Sequence, residues 1–111
     1  MRLSTAVGML LVLAMAGVAD ADRDMCVRGA PYRGAPIDLD VKNADLHDVY
    51  RLLSDVGRIN IVVSDKVQGK VTLRLKRVPW DQVACTVAAV HRLTVTVSGN
   101  VVLVVPQERG G

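Results

Sequence analysis

Aromatic side chains are nearly missing from this sequence: Tyr32, Tyr50 and Trp80 are the whole set, and phenylalanine is absent. Any core must therefore be assembled from Val, Leu, Ile and Ala. Cysteine is limited to Cys26 and Cys85, too few for a disulfide-dense scaffold, and no C-x-x-C pair suggests redox catalysis. Histidine is limited to His47 and His91, with no Cys or carboxylate cluster at ligand spacing, so no metal site is expected. Charge of either sign is only weakly in excess: 14 basic and 11 acidic residues leave a formal net charge of +3, which does not by itself argue for nucleic acid. At 111 residues, the chain has room for one small domain and not for a multidomain enzyme.

Long apolar runs are scarce too. The one such run, Val7 to Ala19 (VGMLLVLAMAGVA), follows a positive Met1-Arg2 start and leads into Ala19-Asp20-Ala21, a small-x-small cleavage pattern. As a helix it would reach about 20 Å, short of the ~30 Å hydrocarbon core. It reads as a secretory signal peptide over residues 1–21, so the mature product is expected to be exported, in the manner of a bacterial periplasmic protein. The residues before Cys26 (Arg23-Asp24-Met25) are too large and charged for a lipid-attachment box.

Residues 22–36 hold two Gly-containing steps and two prolines without periodicity and read as an irregular arm. Ile37 to Lys42 alternates apolar with polar residues, the pattern of a half-buried strand. Asn43-Ala44-Asp45 supplies helix-start chemistry, and Leu46, Val49, Tyr50, Leu53 and Val56 mark one face of a helix that Gly57 is expected to stop. Ile59–Val63 is β-branched and reads as a second strand; Lys70–Lys76 alternates and gives a third, with one very basic face. Pro79 suits the first position of a second helix, whose predicted apolar face is Trp80, Val83, Ala84, Val87 and Val90. Gly99-Asn100 between two valine-rich runs predicts a hairpin in which Val97 pairs with Val102 and Val95 with Val104. The order is β-α-β-β-α-β-β, a small α+β domain over residues 37–105, with residues 106–111 as a polar tail.

The stretch from Ile37 to about Val105 resembles a known family. Asn43-Ala44-Asp45-Leu46, Leu52-Leu53-Ser54-Asp55-Val56-Gly57, Asn60-Ile61-Val62-Val63, Val67-Gln68-Gly69-Lys70, Val71-Thr72-Leu73-Arg74-Leu75 and Val78-Pro79-Trp80-Asp81-Gln82 occur in the order and spacing of the secretin and TonB N-terminus short domain. The version in type IV pilus secretins is the most similar. The resemblance implies two helices flanked by a three-stranded mixed sheet and a two-stranded hairpin. It also implies a non-enzymatic docking role in the periplasm, with a secretin or its inner-membrane platform component as partner. In TonB-dependent transducers a similar domain binds an anti-sigma-type regulator, which is the alternative role. Arg92 stands where the family's second helix often closes with Gly. Taken as a whole chain, one such domain lacks the ring-forming and barrel regions of a channel.

No nucleophile–base pair, phosphate loop or carboxylate pair stands out. Asp45, Asp48 and Asp55 alternate with Arg51 and Arg58 as solvated helix charge does. Catalysis, a cofactor and a small-molecule substrate are therefore not expected. The basic strip Lys66, Lys70, Arg74, Lys76 and Arg77 lacks the interleaved aromatics that single-stranded nucleic acid would use. The candidate partner surfaces are the Ile37–Val41 edge with Asp38 and Asp40, and the basic face carrying Lys70, Arg74 and Lys76. In an oxidising compartment Cys26 and Cys85 are expected to pair within the chain, with an intermolecular bond and free thiols as the alternatives. Cys85 lies about 140° around its helix from Trp80, at the edge of the apolar stripe, where an incoming arm could reach it.

Overall fold

The computed structural model describes residues 23–108; the signal-peptide reading (residues 1–21) and the end of the polar tail fall outside them. The elements, in chain order, are β1 (Arg23–Asp24), β2 (Pro36–Asp45), α1 (Leu46–Gly57), β3 (Asn60–Val63), β4 (Lys70–Pro79), α2 (Trp80–His91), β5 (Leu93–Ser98) and β6 (Val101–Pro106). They make a four-stranded mixed sheet in the order β1-β5-β6-β3 and a two-stranded antiparallel sheet of β2 and β4. Each helix touches strands of both sheets, α1 against β2 and β3 and α2 against β4 and β5. The helices thus form the middle of the domain. None of the described helices is long and apolar enough to cross a membrane.

The α+β class and the strand–helix order are as the sequence predicts. The hairpin forms with the expected register, Val97 opposite Val102 and Val95 opposite Val104. Its turn places Gly99 at φ 61°, the positive value a type II′ turn asks of its first central residue. Two details differ. The mixed sheet gains a fourth strand from the arm, because Arg23–Asp24 pairs antiparallel with Val97–Thr96. The two-stranded sheet pairs segments that are separated in sequence by a helix and β3, while the hairpin lies inside the larger sheet.

The core is aliphatic. Leu46, Val49, Tyr50 and Leu53 of α1 meet Val83, Ala84, Val87 and Ala88 of α2, with Val95, Val102 and Val104 from one sheet and Leu39 and Val71 from the other. The Tyr50 hydroxyl donates to the Ala84 carbonyl at 2.9 Å, tying the helices together. Burial pushes this phenol's pKa well above its ordinary value.

Both predicted helix faces need correction at their ends. Val56 is 46% exposed and Val90 64% exposed, while Cys85 and Ala88 are buried instead. The buried face of α1 ends at Leu53, and that of α2 is wider than predicted, taking in Cys85 and Ala88. Gly57 does not stop α1; the left-handed residue is Arg58, at φ 55°, whose amide closes on the Ser54 carbonyl. Gly57 is used for packing: a Cβ there would lie 3.2 Å from the Trp80 ring. Arg92 does close α2 in the left-handed conformation, at φ 55°. Pro79 sits at the N-cap of α2 and not at its first helical position. Asp45 caps α1, its carboxylate accepting from the His47 amide at 2.9 Å.

Candidate interaction surfaces

The candidate acidic and basic residues come together on one face. Asp40 lies directly opposite Arg74, and Asp45 opposite Lys70, across the β2–β4 ladder. Asp38, Asp40, Lys70, Arg74 and Lys76 are all exposed. The two surfaces read separately from the sequence are a single face of interleaved charge. Asp40 and Arg74 are thus placed for a cross-strand charge pair, while the Asp45 carboxylate is taken by the cap of α1.

Two bulges shape that face. The register shifts between Ile37 and Leu39 and again between Val41 and Ala44. Each shift coincides with a left-handed residue, Arg77 at φ 55° and Asn43 at φ 54°. A bulge leaves an amide outside the ladder, and a side chain from the facing strand takes it. The Arg77 amide donates to Asp38 Oδ1 at 2.8 Å, and the Asn43 amide donates to Thr72 Oγ1 at 2.9 Å. Asp38 is therefore engaged in holding the strand as well as exposed on it. Sequence alternation alone carries no sign of this, because a bulge depends on which residues face each other.

Cys26 and Cys85 are bonded to each other, with their Cα atoms 5.5 Å apart. The arm they pin is not irregular throughout. After β1, the Met25 amide donates to the Val95 carbonyl at 2.9 Å, continuing the pairing with β5. Farther on, the amides of Arg33 and Gly34 donate to the two carboxylate oxygens of Asp81, at 3.0 and 3.1 Å. The Trp80 amide then donates to the Ala35 carbonyl at 3.1 Å. Gly34 is where the arm presses on Trp80: a Cβ there would fall 2.6 Å from the indole. Trp80 is thus held between Gly34 and Gly57, half-buried against the core and not deep within it.

The histidines clamp one loop. His47 Nε2–H donates to the Val67 carbonyl at 2.9 Å, and His91 Nε2–H donates to the Lys70 carbonyl at 3.1 Å. Both are half-buried, so His47 is less exposed than its helix position predicts. Among the described residues, no three metal-ligating side chains gather.

A small helical layer between a mixed sheet and a separate strand pair is an arrangement already known in solved proteins. The N0 domain of the type II secretin from enterotoxigenic Escherichia coli matches 69% of this chain and all of its own, with a TM-score of 0.59. At 20% identity, that likeness concerns the fold alone. The type IV competence pilus secretin PilQ of V. cholerae adds sequence likeness: 40% identity over 61% of this chain and 16% of that one, with a TM-score of 0.56. The chain carries a domain similar to the N-terminal domain of secretins. The fimbrial assembly protein PilQ of Pseudomonas aeruginosa is likewise 40% identical over 77 residues, which are 69% of this chain. The match spans 11% of that relative's length. No family model matches the chain. The disulfide-tied arm is built onto the mixed sheet of this domain.

Proposed function

We propose that this chain is a non-enzymatic periplasmic protein–protein interaction module of the secretin and TonB N-terminus short-domain type. It is accessory to, or resembles, the docking domain of a secretin in type IV pilus or type II secretion machinery. Its partner is a secretin or an inner-membrane platform component. The observation that carries the reading is the 40% identity to type IV pilus secretins on a shared fold. Physical means are present: β3 forms one edge of the mixed sheet and the two-residue β1 the other, and β2 and β4 each keep one edge outside their mutual ladder. Such edges accept a partner strand. The signal peptide supplies export, and the disulfide suits an oxidising compartment.

The test is crosslinking and affinity capture from the periplasm of the native host, followed by mass spectrometry. Recovery of a secretin or its inner-membrane alignment proteins is the expected result. Recovery of an anti-sigma-type regulator would replace this reading with a signalling one. An abundant, monomeric protein that captures nothing would count against a docking role altogether.

A further inference from the structure

The arm does more than cross the domain: it walls a cleft of about 710 Å³ between itself, the start of β3 and the turn end of the β5–β6 hairpin. Met25, Trp80, Val97 and Val102 give this cleft an apolar lining, all of them buried or half-buried. Arg23, Arg33 and Arg58 line it as well, and all three are exposed. They come from β1, the arm and the cap of α1, three places that only the fold brings together. Two acids share the cleft, but both carboxylates are engaged by backbone amides. Asp24 Oδ1 accepts from the Cys26 amide at 3.1 Å, and Asp81 takes those of Arg33 and Gly34. Guanidinium groups stay charged at any pH the periplasm meets and can grip a carboxylate through two parallel hydrogen bonds.

We propose that this cleft binds an acidic peptide segment of a protein partner, with carboxylates taken by Arg23, Arg33 and Arg58 and an apolar side chain laid on Met25 and Val97. Charge complementarity selects the occupant, and the apolar lining separates it from a small inorganic anion, which would leave that surface unused. Nucleic acid fits less well. Base stacking needs an open aromatic face, and the Trp80 ring is flanked by Gly34 and Gly57 at distances that leave no room even for a Cβ at Gly34. This proposal deepens the docking reading and can fail on its own: capture of a secretin by a protein whose cleft binds no acidic peptide would leave that reading standing and this one refuted.

The test uses the exported protein with its disulfide intact. Trp80 is the only tryptophan, so its fluorescence reports the cleft directly. Short peptides alternating aspartate with leucine or valine are titrated in, beside lysine-for-aspartate versions and a single-stranded oligonucleotide. The acidic peptide is expected to saturate, with amide shifts at Gly34, Arg58 and Asn100 and weaker binding at higher salt. The Arg23→Gln/Arg33→Gln variant, altered only in exposed arm side chains, is expected to lose roughly tenfold or more in affinity, as loss of charge-assisted bonds implies. Lys66→Gln, outside the cleft, should change nothing. Equal binding of the lysine peptide, binding of the oligonucleotide but not of the acidic peptide, an undiminished arginine variant, or no saturation would each overturn the proposal.

Discussion

Removing the Cys26–Cys85 bond is the sharpest perturbation this fold offers. The bond closes a loop with a sequence separation of 59 residues. In the chain-entropy model, a loop of that length stabilises the folded state by about 4 kcal/mol. A small domain commonly holds only about 5–15 kcal/mol in total, so the loss is a large share. The Cys26→Ala/Cys85→Ala variant should be compared with the oxidised protein by urea denaturation. With a slope of roughly 1 kcal/mol/M, the midpoint is expected to fall by more than about 2 M. The slope itself should rise, because an uncrosslinked denatured chain exposes more surface. Amide exchange gives the local readout. The Met25 amide, bonded to the Val95 carbonyl, should lose protection well before the core amides of α2. A midpoint shift below about 0.5 M, with the arm amides still protected, would show that the arm is held by its hydrogen bonds alone and would refute the loop-entropy reasoning.

Gly34→Ala forces a Cβ to within 2.6 Å of the Trp80 indole, so a loss of about 1–3 kcal/mol and a shifted Trp80 emission maximum are expected; an unchanged melting temperature would mean that the arm simply yields. Tyr50→Phe removes a hydrogen bond to the Ala84 carbonyl and should cost about 0.5–1.5 kcal/mol at neutral pH. Because the folded phenol holds its proton more tightly than the unfolded one, the wild type's Tyr50 contribution is complete below about pH 10 and declines as pH rises beyond it. Stability curves of wild type and Tyr50→Phe should therefore converge above that pH. Asp38→Ala leaves the Arg77 bulge amide to water and should cost roughly 1 kcal/mol in thermal or urea melts, with Asp38→Asn recovering most of it. Arg92→Gly relieves a left-handed arginine at φ 55° and should gain up to about 1 kcal/mol in the same melts.

What the sequence made legible is what depends on short spacing. The i, i+3, i+4, i+7 pattern of Leu46, Val49, Tyr50 and Leu53 located α1, and all four are buried. Gly99-Asn100 between valine runs located the hairpin and set its register to the residue. The pairing of Cys26 with Cys85 followed from compartment chemistry, with the place of Cys85 at the edge of its helix stripe in support. Position in three dimensions was harder. Asp38, Asp40 and the Lys70–Lys76 strip read as two surfaces because nothing local says that β2 pairs with β4 across a helix and another strand. Val56 and Val90 read as core because a fixed 100° step ignores where each helix runs past the edge of what it covers.

Trp80 shows why the rest was not readable. In sequence it is one apolar residue at a helix start, and Gly34 and Gly57 are a loop glycine and a helix stop. In the fold these three residues form one contact, and that contact fixes the arm against α1 and α2. Gly57 packs on Trp80 as the last residue of α1, and the left-handed cap is the next residue, Arg58. Arg58 in turn lines the cleft beside Arg23 and Arg33. The Gly57–Trp80 contact thus adjoins the residue that brings a guanidinium to the cleft. Gly57→Ala should test that chain directly. It should crowd Trp80, whose ring would lie 3.2 Å from the new Cβ and must shift by a few tenths of an ångström, so the Trp80 emission maximum should move. The cost of that shift is set against the roughly 0.5–1 kcal/mol that alanine gains over glycine within a helix. It should also weaken acidic-peptide binding although no cleft charge has been altered. If the peptide affinity held while the Trp80 emission moved, the position of Arg58 would be independent of the Trp80 contact and no coupling between the two would exist.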